Sequence, residues 1–198
     1  MTGAIPTRYA GVRFRSRLEA RWAAFFDLVG WQWEYEPIDL AGYIPDFMLM
    51  LARPVLVEVK PIVRWPCPVP WCADPKCYRD PAVDAAVSKI VASGWTDEAL
   101  LVGASPPEPS DNCSSRPPMG RFAIERWLNG EPACPGIAAM FICASCRGVS
   151  FCGWPHNDYS CRVCGHWDGD NHLGPMRDFR ALWCEAGNRV QWRAPEGG

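Results

Sequence analysis

Leu18, Trp22, Phe25, Phe26 and Val29 recur at the 3.6-residue period of a helix with one apolar face, and Gly30 ends the run, so residues 16 to 29 are predicted helical. Ser16 followed by Glu19 has the capping-box form that starts such a helix. The period then shortens to two. Trp31, Trp33 and Tyr35 alternate with Gln32, Glu34 and Glu36, as in a half-buried strand. Two apolar runs, Phe47 to Met50 and Val55 to Val59, flank Arg53-Pro54 and predict an antiparallel hairpin buried on both faces. Val83, Val87, Ile90 and Val91 give a second helix closed by Gly94, and Ala99 to Val102 give another buried strand. Hairpin, helix and returning strand make an α/β core in which the last strand runs parallel to the strand before the crossover.

Two stretches interrupt this pattern. Residues 61–81 carry Pro61, Pro66, Pro68, Pro70, Pro75 and Pro81 with Cys67, Cys72 and Cys77, a loop long enough to need a functional or metal-bound reason for order. Residues 104–120 are a second linker rich in Pro and Ser. Beyond residue 140 the composition turns to closely spaced Cys, Gly and His, followed by a short amphipathic helix through Met176, Phe179, Leu182 and Trp183. The expected organisation is an α/β domain over 1–135, with an insertion at 61–81, and a small C-terminal module over 136–198.

Composition narrows the class. With 198 residues, 48% apolar and 21% charged, the chain has the balance of a folded protein rather than a disordered one. No apolar run reaches the roughly 18 residues of a membrane helix, and the polar N-terminus through Arg8, Arg13, Arg15 and Arg17 is unlike a signal peptide, so a cytoplasmic protein without membrane partners is expected. High Arg, Ala, Pro and Trp usage suggests a GC-rich bacterial or phage source. An odd total of 11 cysteines without an export signal argues for metal ligands and free thiols over a disulfide scaffold. The net charge of -2 gives no global basic field. Locally, however, Arg8, Arg13, Arg15, Arg17 and Arg21 face one acid, Glu19. Such a patch can supply phosphate contacts that position a duplex without reading its sequence, which makes Arg13, Arg15, Arg17 and Arg21 candidate DNA-binding residues. Of 20 basic residues only Lys60, Lys76 and Lys89 are lysines, so each invites the question of what Arg could not do there.

The densest chemistry lies in the predicted hairpin. Glu58 and Lys60 are two apart on one strand and share a face, while Val57 and Val59 pack on the other. If the hairpin centres on Ala52, Asp46 lies opposite Glu58 on that same face, and a one-residue slip sends it to the other side. Two adjacent carboxylates repel unless a cation sits between them, and hard oxygen donors suit Mg²⁺ or Mn²⁺. A neighbouring lysine can stabilise charge developing on phosphate. Glu19, at the edge of its helix stripe, is a fourth candidate, although Ser16 alone would account for it as a capping partner. In the bland alternative Asp46 is a turn residue and Glu58 with Lys60 is an exposed ion pair.

The ordered strings Phe14-Arg15-Ser16-Arg17-Leu18-Glu19-Ala20-Arg21-Trp22-Ala23, Trp33-Glu34-Tyr35-Glu36-Pro37, Tyr43-Ile44-Pro45-Asp46-Phe47 and Val57-Glu58-Val59-Lys60-Pro61 resemble the PD-(D/E)XK nuclease superfamily. Within it they are most similar to TnsA-type and small phage-encoded endonucleases. The resemblance spans roughly residues 8 to 104 and implies a restriction-endonuclease-like core, a mixed sheet flanked by helices in α-β-β-β-α-β order. It further implies that Asp46 and Glu58 hold catalytic Mg²⁺ or Mn²⁺, that Lys60 assists the attacking water, and that Glu19 completes the site. The cysteine-bearing loop at 61–81 has no counterpart in that pattern.

Cys143-x2-Cys146 and Cys161-x2-Cys164-Gly165 have the spacing of a zinc ribbon, in which four thiolates close a structural Zn²⁺ site and leave no position for water. Cys67, Cys72 and Cys77 are weaker candidates for a second zinc, with Cys113 or Cys134 as a fourth ligand. The sequence thus predicts a metal-dependent DNA endonuclease with an accessory zinc ribbon for DNA or protein recognition. The alternative is an inactive nuclease-fold adaptor in a transposition, recombination or phage complex. Nothing in the sequence fixes an oligomeric state.

Overall fold

A computed structural model describes residues 4–65, 78, 80–107, 117–126, 130–133, 136–154, 160–167 and 179–191. Helix α1 (Arg17–Val29) forms because both ends are capped and one stripe is buried. Ser16 Oγ accepts from Glu19 N at 3.1 Å, and Gly30, at φ 78°, closes the C-terminus with its N–H on Asp27 O. Trp22, Phe25 and Phe26 are fully buried, each contributing about 1.5–3 kcal/mol of burial. The hairpin of β1 (Thr7–Tyr9) and β2 (Val12–Phe14) precedes α1 and turns through Ala10 (φ 48°) and Gly11 (φ 81°). Without the run of alternating aromatics that marks Trp31, Trp33 and Tyr35, these two short strands are not picked out by the hydrophobic pattern.

The remaining strands are β3 (Trp33–Tyr35), β4 (Phe47–Met50), β5 (Pro54–Val59), β6 (Ala99–Val102), β7 (Pro118–Arg126), β8 (Pro132–Ala133), β9 (Ile137–Ile142) and β10 (Val149–Trp154). Helix α2 (Pro81–Ala92), with Asp80 as N-cap, connects β5 to β6, and α3 (Phe179–Arg189) lies near the C-terminus. Seven strands pair in the order β10-β9-β7-β6-β5-β4-β3, and β8 pairs with β7. β5 and β6 are parallel, as the crossover requires, and the other neighbours are antiparallel. The protein is therefore α/β with a mixed sheet flanked by helices, and the expected α-β-β-β-α-β order is present as α1-β3-β4-β5-α2-β6.

Alternation along β5 splits its side chains between two cores. Val55, Val57 and Val59 join α1 and α3 in the larger one, while Leu56 packs with Ile90 of α2 on the opposite side. Pairing of Phe47 with Val57 and of Met48 with Leu56 centres the hairpin on Ala52. Phe47 belongs to the α1 core, so Asp46, one residue before β4, falls on the α2 side, the side of Glu58.

Strands β7, β9 and β10 were not apparent in the sequence. β7 is buried along most of its length and lacks a clean period of two, and β9 is Ala-rich. Met140 of β9 and Phe151 of β10 lie in the same core as α1, and the Trp183 ring of α3 lies tilted against Trp22 with centroids 4.6 Å apart. The boundary expected at 135/136 therefore falls inside one continuous sheet. Cysteine spacing marks ligand loops but not the strands that carry them. Among the described residues no helix is long and apolar enough to cross a membrane.

Candidate functional site

Four residues from three elements converge at the end of the sheet where β4 begins and β5 finishes. Asp46 enters just before β4, Glu58 lies near the end of β5, Lys60 follows it, and Glu19 comes from the first turn of α1. The three carboxylates are buried, at 4% exposure for Asp46, 7% for Glu58 and 8% for Glu19. Burial of this kind is costly without partners.

Each carboxylate has them. Asp46 Oδ2 accepts from Val59 N at 2.7 Å, which ties β4 to β5, and Asp46 Oδ1 meets Arg15 Nη2 at 2.5 Å. Glu58 Oε2 accepts from the Tyr43 hydroxyl at 3.0 Å, and Glu58 Oε1 pairs with Lys60 Nζ. Glu19 Oε1 accepts from Ser16 Oγ at 2.7 Å, and its Oε2 from Tyr35 OH at 2.5 Å and Arg15 N at 3.2 Å. Glu19 is thus both the capping partner of Ser16 and a wall of the site.

Burial first, then the charges of Glu58 and Glu19, push the Asp46 carboxyl up to about 7, although the Val59 N–H and Lys60 oppose the shift. Glu58 acts the same way on the Tyr43 phenol, which burial and that carboxylate raise well above its ordinary range. An electrostatic environment that resists a second negative charge is one a cation would relieve. Among the described residues, Glu19, Asp46 and Glu58 do not form a three-ligand set with all donor atoms within 4.8 Å of one another.

Two of the expected DNA-contact arginines have other partners. Arg15 is held inside the site by Asp46 and by Glu36 Oε1 at 3.1 Å. Arg21 clamps α1 to α3: its Nε and Nη2 donate to Trp183 O at 3.1 and 2.7 Å, and its guanidinium lies 3.9 Å over the Trp183 ring. Arg13 and Arg17 are exposed, as is Arg8, which pairs with Arg13 across the β1–β2 hairpin.

Tyr35, Tyr43 and Glu36 were missed as site residues. Tyr35 followed the strand alternation and read as a packing residue. Tyr43 is placed by reciprocal backbone hydrogen bonds with Leu40 around Gly42, whose φ is 70°. A tyrosine three positions before the aspartate was the one local signal.

The second cluster brings together Cys143, Cys146, Cys161 and Cys164, whose sulfurs all lie within 4.8 Å of one another. Cys143 and Cys164, and likewise Cys146 and Cys161, have sulfurs 3.8 Å apart, and all four are free of disulfides. These residues could bind a metal such as zinc. Burial and the neighbouring thiols push the Cys146 thiol up to about 12. Cys152 donates to Ala139 O at 3.6 Å within the sheet and stands outside the cluster. Cys67, Cys72 and Cys77, together with Cys113 and Cys134, lie outside the described residues. No protein family, curated protein or solved structure matches the chain.

Proposed function

We propose that this protein is a divalent-metal-dependent DNA endonuclease of the PD-(D/E)XK type. The observation that carries the reading is the pair of buried carboxylates, Asp46 and Glu58, at one strand end with Lys60 on the face of Glu58. Their donors are all oxygen and anionic, the set that Mg²⁺ or Mn²⁺ prefers. Asp46 and Glu58 would hold the ion, with Glu19 flanking them. When bound, such an ion polarises the phosphate and lowers the pKa of its water.

The chain's own residues supply the rest. Hydrolysis joins the water oxygen to phosphorus, breaks the P–O ester bond and leaves the departing oxygen protonated. Lys60, 42% exposed at its side chain, sits at the mouth of the site where it can stabilise negative charge developing on the phosphate. The Tyr43 hydroxyl fixes Glu58, and the Val59 N–H fixes Asp46. Arg8 and Arg13 oppose each other across a hairpin, a like-charge pairing that a phosphate between them would relieve, and Arg17 adds to the same exposed basic group. The four cysteines hold Zn²⁺ in a closed, structural site.

Plasmid DNA incubated with Mg²⁺ or Mn²⁺ is expected to be nicked or linearised, and Glu58→Gln is expected to abolish this while leaving the fold intact. A folded wild-type chain that cuts no duplex, branched or single-stranded DNA with either ion overturns the enzyme reading. If that inert chain still binds DNA or a protein partner, the adaptor reading replaces it.

A further inference from the structure

The metal-binding cysteines fall on two turns with the same backbone geometry. In the first, Arg147 N donates to Cys143 O at 2.9 Å and Cys143 N to Gly148 O at 3.0 Å, with Arg147 at φ 60°. In the second, Gly165 N donates to Cys161 O at 2.7 Å and Cys161 N to His166 O at 2.7 Å, with Gly165 at φ 74°. A left-handed residue directly after the second cysteine turns the chain back in both, which aims both sulfurs of each turn toward one point. A tetrahedral zinc with bonds of about 2.3 Å has sulfur–sulfur edges of about 3.8 Å. Of the cross-turn sulfur pairs, Cys143–Cys164 and Cys146–Cys161 stand at 3.8 Å.

The two turns differ in what holds them. The first is the connection from β9 to β10 and is continuous with the sheet. The second, within residues 160–167, lies outside the named strands and is fastened by side chains and one backbone bond. Arg162 Nε and Nη2 grip Glu98 Oε2 and Oε1 at 3.1 and 2.7 Å, with both side chains about 5% exposed or less. Arg162 N donates to Ser150 Oγ at 2.8 Å, and Arg162 O accepts from Ala52 N at 2.9 Å. Ala52 is the centre of the β4–β5 hairpin that carries Asp46 and Glu58 at its other end, roughly 20 Å of strand rise away.

We propose that this metal site is a brace on the β4–β5 hairpin rather than a DNA-reading module. The metal fixes Cys161, Cys161 fixes the next residue, and the Arg162 carbonyl holds the hairpin turn. Arg162, the residue of the second turn best suited to a phosphate, is already committed to Glu98. The inference rests on the zinc reading above and is independent of the nuclease reading.

The test pairs elemental analysis with amide hydrogen exchange on the full chain, as purified, after zinc chelation, and in Cys164→Ser, which alters an exposed ligand. The expected result is one zinc per chain. Loss of the metal should speed exchange at Ala52 about tenfold or more, while Ala23 to Phe26 in α1 change less than about twofold. Zinc present with Ala52 protection unchanged by its removal overturns the brace and leaves the zinc reading standing. Equal loss of protection in α1 and at Ala52 also overturns it as a local device. A chain that neither carries nor takes up zinc overturns the zinc reading and the brace together.

Discussion

Replacing Asp46 with asparagine isolates the charge that the site must hold. The carboxyl is 4% exposed, and its pKa is raised from 3.8 to about 7 by burial, then by Glu58 and Glu19. Between those two values the folded chain keeps a proton that the unfolded chain has lost. The unfolded state binds fewer protons there, so stability falls as pH rises through the window, by about 1.4 kcal/mol per pH unit. By pH 8 the loss is about 4 kcal/mol. The Asp46→Asn amide cannot ionise, and its oxygen can still accept from Val59 N. What it gives up is the Arg15 ion pair, worth at most ~1 kcal/mol because Arg15 is 57% exposed. Because the raised pKa already includes that pair, Asp46→Asn should be close to neutral relative to wild type at pH 4 and about 4 kcal/mol more stable at pH 8. Urea unfolding from pH 4 to pH 8 without added Mg²⁺ or Mn²⁺ measures this difference. Added Mg²⁺ should recover the lost stability in wild type and not in the variant. A stability difference that stays flat within about 1 kcal/mol across this pH range would refute the picture of Asp46 as a strained, cation-seeking carboxylate.

Lys60→Ala removes a half-exposed cation and should leave the unfolding midpoint nearly unchanged while lowering cleavage about 10²–10³-fold, and an equal loss in Lys89→Ala would show the effect to be nonspecific. Arg162→Ala strands Glu98 in a buried position and should cost about 3–5 kcal/mol in denaturant unfolding, whereas the double change Arg162→Met with Glu98→Leu should recover most of it. A loss below about 1 kcal/mol in the single variant would mean that the pair does not hold the second cysteine turn.

Local pattern determined the elements that carry the site. Ser16 and Gly30 set the ends of α1 because capping is a short-range hydrogen-bonding matter, and the apolar runs at Phe47 to Met50 and Val55 to Val59 set the hairpin. The spacing of Cys143, Cys146, Cys161 and Cys164 marked the thiol cluster for the same reason, since each pair must close within one turn. The face of Asp46 was conditional on register, and the pairing of Phe47 with Val57 resolved it. Tertiary structure alone decided the rest. It placed Arg15 against Asp46 and Arg21 against Trp183, although both arginines sit in one basic stretch and read alike in the sequence. It also joined β9 and β10 to the main sheet, where composition suggested a separate module. Spacing and periodicity record what a residue does with neighbours a turn or a strand away. The partner of a long charged side chain, and the edge at which a strand joins, depend on contacts between distant segments that no local pattern encodes.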